Sequence, residues 1–272
     1  MCLPSHLLAP RKVAGFSRKM PNHSVSNVMT FSFITLFPAL IESYFQDSIL
    51  KIAREKGLIA TRTIQLRDFA LDSYKSVDAP QIGGGAGQVL LPNVLERAIN
   101  HAASQQHTQE AESKNAHIIF LTPCAKHFTQ SDAIRLATKE HIVFVCGRYE
   151  GIDERVIEAY ADEVFCIGDF ILTGGELAAL CLCDSIARQI PQVLGNASSL
   201  QGESFENSLL EAPVFARTSE NFKDFAPVSE YSKGNHNKIA ALKNHLALCK
   251  TRYFRPDLFE RWKTTQRVRN EK

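Results

Sequence analysis

"IGDFILTGGELAAL", residues 167–180, opens apolar and breaks at Gly168-Asp169. It turns apolar again through Phe170, Ile171 and Leu172, breaks a second time at Gly174-Gly175, and runs on as a helical pattern. One break suffices to turn a strand into a helix. Two, with an aromatic and two aliphatics held between them, describe a shaped loop, because glycine lets a backbone approach its neighbours closely or adopt φ > 0. The run before it, "EVFCI" (163–167), reads as a strand, and 175–189 reads as a helix. The same alternation extends upstream. "FSFITL" (31–36), "IATRTIQL" (59–66), "HIIFLT" (117–122) and "HIVFVC" (141–146) read as strands. Helical patterns cover 39–56, 93–105, 129–139 and 152–160, while 67–92 reads as loop and "QQHTQEAESKN" (105–115) as a polar linker. Apolar strands alternating with helices predict an α/β fold whose parallel sheet is covered on both faces.

Pro191 ends the last of these helices, and residues 192–234 are loop-like and rich in Gly, Ser and Asn. Only helical patterns follow, over 235–271. The expected organisation is an α/β domain at 29–190, a flexible linker at 191–232 and a small all-helical domain at 233–272. Residues 1–28 hold four basic side chains, no acid and several serines. That composition is compatible with a transit peptide, and Met29 with an alternative start; we read the segment as a disordered arm. Residues 233–272 hold eleven Lys and Arg against three Asp and Glu. With a net charge of only +2 for all 272 residues, the body between is acidic. A basic tail domain on an acidic body suggests a polyanion gripped at one end, and a solvated helical face gives the same count. No run of eighteen apolar residues exists, so no membrane-spanning helix is expected. The seven cysteines include no CxxC pair, and Cys146, Cys166 and Cys181 lie in apolar runs. They read as buried thiols in a reducing compartment. The histidines show no HExxH spacing, so no metal site is expected.

Ligands of α/β sheets sit beyond the carboxyl ends of the strands. Three loops leave such ends: "LTPCA" (121–125), "CGRYEGIDE" (146–154) and "IGDFILTGGE" (167–176). Each carries Gly or Pro where a strand stops. Any one could be an ordinary turn; three in succession point to a shared pocket. "IGGGAGQVLL" (82–91) spaces Gly83, Gly85 and Gly87 by twos. It lacks a GK[ST] and follows "DAPQI" rather than a buried strand, which argues against a nucleoside triphosphate or dinucleotide site. It reads as a flexible loop, with or without a role in closing over a substrate.

"GRYEGIDERV" (147–156) followed by "IGDFILTGGELAAL" resembles the signature of bacterial tRNA (guanine-37-N1) methyltransferases of the SPOUT superfamily. "ITLFP" (34–38), "RDF" (67–69), "IGGGAG" (82–87), "GNH" (234–236) and "RP" (255–256) extend the resemblance over most of the chain. It implies that the last strand, loop and helix thread an earlier loop as a deep trefoil knot, which no periodicity could indicate. It implies that S-adenosylmethionine binds there, bent, with the two glycine breaks as entry and exit of the threaded loop. Thr122, Pro123, Gly147, Tyr149, Glu150, Gly151, Ile167, Gly168, Asp169, Phe170, Ile171, Leu172, Gly174 and Gly175 would line the pocket. Backbone groups would bond adenine, and Ile167, Phe170 and Leu172 would supply apolar walls. The resemblance further implies a cytoplasmic homodimer with a shared active site, the tRNA anticodon stem-loop as partner, and a magnesium requirement for which no ligand set is visible.

The implied reaction moves a methyl group from a sulfonium to N1 of guanine. Neutral guanine carries a proton on N1, so a carboxylate must take it while a cation meets the charge growing on O6. Residue matching assigns the cation to Arg188, at the end of the helix after the glycine pair. It assigns the base to Glu203 in "GESFENSLLEAP" (202–213), where the family has aspartate. "VDAPQIGGG" and "FART" (215–218) also depart from the family pattern, as does Glu211, so the departures gather on the tRNA side. Rival readings are a SPOUT methyltransferase on another RNA base and a non-catalytic knotted RNA-binding protein. Tyr253, Phe254 and Trp262 stand among the tail cations, either as the core of the small domain or as base-stacking platforms; core is the ordinary expectation.

Overall fold

The computed structural model describes residues 28–104, 116–200, 202–216 and 227–270. The arm up to residue 27, the polar linker 105–115 and linker residues 201 and 217–226 lie outside the described residues. Two compact units divide at Gly195/Asn196.

The first unit is a five-stranded parallel sheet in the order β2-β1-β6-β5-β7. Its strands are β1 (Met29–Thr35), β2 (Ile59–Gln65), β5 (His117–His127), β6 (His141–Cys146) and β7 (Glu163–Cys166). β1 and β6 are buried along their whole length, as an interior strand covered on two faces must be. Alternate residues of these strands feed two separate cores. Phe31, Phe33, Ile119, Ile142 and Phe144 face α1 (Pro38–Tyr44), α2 (Ser48–Glu55), α4 (Gln130–Leu136) and α6 (Glu176–Ala187). Ile34, Phe120, Val143 and Val145 face α3 (Pro92–Ser104) and α5 (Glu154–Tyr160). The predicted α/β class and covered parallel sheet are therefore observed.

Three local expectations are corrected. The pattern at 39–56 is two helices, because Phe45 buries its ring at the first helix end and Asp47 caps the second through the Ser48 amide at 2.6 Å. The stretch 67–92 is not only loop: it holds a short 3-10 turn at Leu66–Phe69 and a hairpin of β3 (Asp78–Pro80) with β4 (Gln88–Leu90). Cys181 is exposed, whereas Cys146, Cys166 and Cys183 are buried.

In the second unit, 3-10 turns punctuate the loop-like chain before α7 (His236–Phe254) and α8 (Pro256–Asn270). Asn235 caps α7 through the Lys238 amide at 3.1 Å, and Pro256 at the first position of α8 separates the two helices. Thr251 is fully buried and joins α7 to the preceding chain, accepting from the Leu210 amide at 2.8 Å.

Candidate active site at the carboxyl ends of the strands

Four strand ends converge at one edge of the first unit. β5 pairs with β7 at Ile119–Leu121 and again at Lys126–His127, so Thr122, Pro123, Cys124 and Ala125 leave the ladder between. Proline lacks the amide a ladder needs, which suits Pro123 to an excursion. The Thr122 hydroxyl tightens it by accepting from the Cys124 amide at 3.4 Å.

The loop after β6 is held from the side. Glu150 donates its amide to Gln88 at 3.0 Å, and Leu90 donates to Gly151 at 3.1 Å, which docks the β3–β4 hairpin on the loop. At the hairpin tip Gly83, Gly84, Gly85 and Gly87 all have positive φ. A side chain at Gly87 would overlap the Glu150 side chain. The glycine-rich stretch is thus the close neighbour of a candidate site carboxylate. Tyr149 takes φ 59° while half exposed, a conformation costly for a bulky residue and concentrated at ligand sites.

The stretch 167–175 begins at the edge strand β7 and ends in mid-sheet. Gly175 donates its amide to Gly147 at 2.8 Å, and a Cβ there would lie 2.9 Å from the Cys146 Cα. Only glycine permits that approach, so the second glycine break is a contact between backbones. To arrive there the chain crosses the carboxyl end of β5, because β5 separates β7 from β6. At the first break, a side chain on Gly168 would strike the Phe170 ring. Ile167 and Leu172 lean on the core, whereas Phe170 and Ile171 are exposed. Asp169 is 89% exposed and pairs with His127 at 2.8 Å. Of the amides from Gly168 to Gly174, only that of Phe170 bonds to another backbone group among the described residues. The other amides of the loop are thus open among the described residues, while the Thr173 carbonyl is taken by Arg148.

Sequence reasoning missed the groups beneath this loop. Glu176, at the first position of α6, is 1% exposed. The Thr35 hydroxyl donates to its Oε1 at 2.7 Å and accepts from the Phe37 amide at 2.9 Å. The Arg148 guanidinium lies 2.9 Å from its Oε2 as an ion pair without hydrogen-bond alignment. Arg148 also donates to the Thr173 carbonyl at 3.0 Å and stacks over the Phe37 ring at 4.5 Å. A side chain at Gly174 would collide with Arg148. One largely buried cation therefore joins the ends of β1 and β6 to the glycine loop and the start of α6. The helix N-terminus favours the Glu176 carboxylate. The available signal was an acid directly after "GG", where a helix begins. Burial first, then the Glu176 carboxylate, push the Cys146 thiol well above its ordinary range, and Arg148 partly offsets them, so this thiol is inert.

Arg188 caps the C-terminus of α6 in the first unit. Glu203 belongs to the second unit, half-buried beside Gly202 at φ +72°. Ser204 accepts the Glu211 amide at 3.2 Å and Phe205 donates to Leu209 at 2.7 Å, which folds the linker on itself. In the same unit Tyr253 and Phe254 are exposed, contrary to the expectation of a core role, because α7 turns Ala247 and Thr251 inward instead. Among the described residues no group of three or more His, Cys, Asp or Glu is arranged to hold a metal, and no helix is long and apolar enough to cross a membrane.

The family model described as tRNA (Guanine-1)-methyltransferase TrmD matches residues 29–261. A tRNA (guanine-N(1)-)-methyltransferase of Helicobacter hepaticus is 58% identical over 236 residues, 86% of this chain and 94% of the relative. One of Wolinella succinogenes is 57% identical over 245 residues, 90% of this chain and 100% of the relative. One of Helicobacter pylori is 54% identical over 240 residues, 87% and 100% respectively.

Proposed function

The chain belongs to the tRNA (guanine-1)-methyltransferase family, and from that membership we propose how its parts divide the reaction. It methylates N1 of a guanine in tRNA, with S-adenosylmethionine as methyl donor. The guanine is position 37, beside the anticodon, and the working form is a cytoplasmic homodimer with a shared site. Residues 29–190 hold the donor in a SPOUT-type trefoil knot, 191–232 form the linker, and 233–272 grip the tRNA. The observation that carries this reading is the return of 167–175 across the end of β5 to seat Gly175 on the β6 backbone.

The loops fit the donor. The open amides of 168–174 suit adenine, Ile167 and Leu172 offer apolar support, and Phe170 is available to close on the bound molecule. Thr122 and Pro123 in the excursion of β5, and Tyr149, Glu150 and Gly151 in the loop after β6, would complete the lining. Glu150 supplies a carboxylate for the donor's ammonium group or for the guanine. The bound donor brings a methyl group on a cationic sulfur, already electrophilic. The protein's own work is to hold guanine in line and remove its N1 proton. The proton passes to the Glu203 carboxylate as the N1–carbon bond forms and the sulfur–carbon bond breaks. The Arg188 guanidinium meets the charge on O6. Glutamate is one methylene longer than the family's aspartate, so the half-buried, folded linker must take up the difference. The magnesium requirement that the resemblance implies finds no ligand group of three or more His, Cys, Asp or Glu among the described residues.

Support for the homodimer comes from α1 and α6. Phe37, Leu40, Tyr44 and Leu177 expose apolar surface on these neighbouring helices, which are joined by the Tyr44 hydroxyl on Asp184 at 2.6 Å. Exposed apolar residues on neighbouring helices are what a protein interface would cover.

The test is single-turnover methyl transfer from labelled S-adenosylmethionine to tRNA transcripts carrying G or A at position 37. G37-dependent transfer, lowered about 100-fold or more in Glu203→Gln with calorimetric donor binding retained, is the expected result. Equal transfer to both transcripts would refute position 37; unimpaired transfer by the variant would remove Glu203 as base.

A further inference from the structure

α7 carries four Lys and Arg residues and no acid. It ends in Tyr253 and Phe254, which are 79% and 63% exposed. Their rings meet edge to face, with centroids 4.8 Å apart and planes at 88°. In such a pair one ring gives up an edge and the other one face, and the rest of both rings stays largely exposed. The other aromatic pair of this unit, Phe259 and Trp262, is stacked and half-buried, so packing absorbs that pair and not this one. Lys250 and Arg252 precede the exposed rings within the last turn and a half of α7, and among the described residues neither forms an ion pair. Arg255, next in sequence, is instead held by a two-pronged pair with Asp257 at 2.9 and 2.8 Å.

Exposed rings interleaved with unpaired cations do not resemble the centre of a protein interface, where charged residues are depleted. They match single-stranded RNA, whose bases stack on aromatic faces while cations take the phosphates. We propose that Tyr253 and Phe254 form a stacking platform for an unpaired base of the tRNA anticodon loop, with Lys250 and Arg252 on the adjoining phosphates. The proposal rests on tRNA as substrate and adds which residues distinguish a loop from a duplex. The rings read unstacked bases, and a duplex offers none.

The experiment is equilibrium binding of the full chain to tRNA transcript across a salt series. It compares wild type with Tyr253→Ala, Phe254→Ala, Tyr253→Trp, Tyr253→Leu and Lys250→Gln. The alanine variants should bind about 5- to 100-fold more weakly with an unchanged salt slope, because a stacked base releases no counterion. Tyr253→Trp should restore affinity and Tyr253→Leu should not. Lys250→Gln should instead reduce the slope by roughly 0.7–0.9, as a phosphate contact does. Donor affinity and sedimentation behaviour should stay at wild-type values, which also shows that the variants fold. Undiminished affinity in both alanine variants would overturn the platform. So would rescue by leucine equal to that by tryptophan, or loss of the oligomer, since either would mean that a second copy of the chain covers these rings. Failure of wild type to bind any tRNA would instead sink the substrate reading itself.

Discussion

The carboxyl-end loops of the sheet and the end of α7 solve opposite problems. In the first, a charged pair is nearly sealed from water and stitched by Thr35, Thr173 and Phe37, and the loop above it passes other backbone too closely for any residue but glycine. In the second, rings and cations stand in solvent with few partners. A site for a small flexible donor gains from walls made before binding. A surface that meets a large polyanion gains from charge and exposed faces, and needs little internal support. Substitutions should therefore cost folding stability in the first region and only affinity in the second.

The sharpest way to break this contrast is Glu176→Ala. It strands the Arg148 cation beneath the loop and should cost about 3–5 kcal/mol in urea unfolding, together with donor affinity. A loss under 1 kcal/mol would mean that water already reaches the pair.

Acid should weaken the first unit through His141, which is buried deep in the sheet with Ser32 at 2.9 Å. Burial, and secondarily the Arg62 charge, lower its pKa from 6.5 to about 4. The unfolded chain then binds the proton more readily than the native one between those values. The stabilising effect is complete above pH 6.5 and falls away as pH drops toward 4. Between pH 7.5 and 5 the loss should be about 2 kcal/mol, and His141→Asn should flatten it. Desolvation raises Glu163, but His117 and Arg135 outweigh it and lower its pKa to about 2, so its stabilising effect is complete above the ordinary carboxylate range, is lost only as pH falls from there toward 2, and changes little between pH 7.5 and 5. An unchanged profile in the variant would assign the acid loss elsewhere.

In the helical unit, Arg252→Gln should weaken tRNA binding a few-fold at low salt and leave unfolding within about 0.5 kcal/mol of wild type. A large stability loss would erase the distinction between the regions. The smallest effect should come from Asp169→Asn. Its pair with His127 is exposed on the glycine loop and should contribute no more than about 0.5 kcal/mol. A change in donor affinity without a change in stability would show that Asp169 faces the ligand.

Much of this was legible in the chain. Apolar runs such as "HIVFVC" can only be strands covered on both faces, and the two glycine breaks of 167–175 announced a loop of unusual shape. The corrections share a cause: they lie where a contact distant in sequence overrides a local pattern. Phe45 interrupts a helical pattern to fill the core, and the glycine-rich 82–88 stretch is tied down as a hairpin tip by the loop at 147–151. The aromatics of the tail divide into an exposed pair at the end of α7 and a half-buried stacked pair on α8, a division that burial in the folded chain decides.

Sequence alone determined the alternation of elements, the charge polarity and the places where only glycine would serve, since these depend on local sterics and on the sum of side chains. Tertiary structure alone decided that Glu176 and Arg148 form the seat of the loop. Their pairing joins residues 28 positions apart in the chain to Thr35, 141 positions from Glu176, and such partners are set by which strand ends lie side by side.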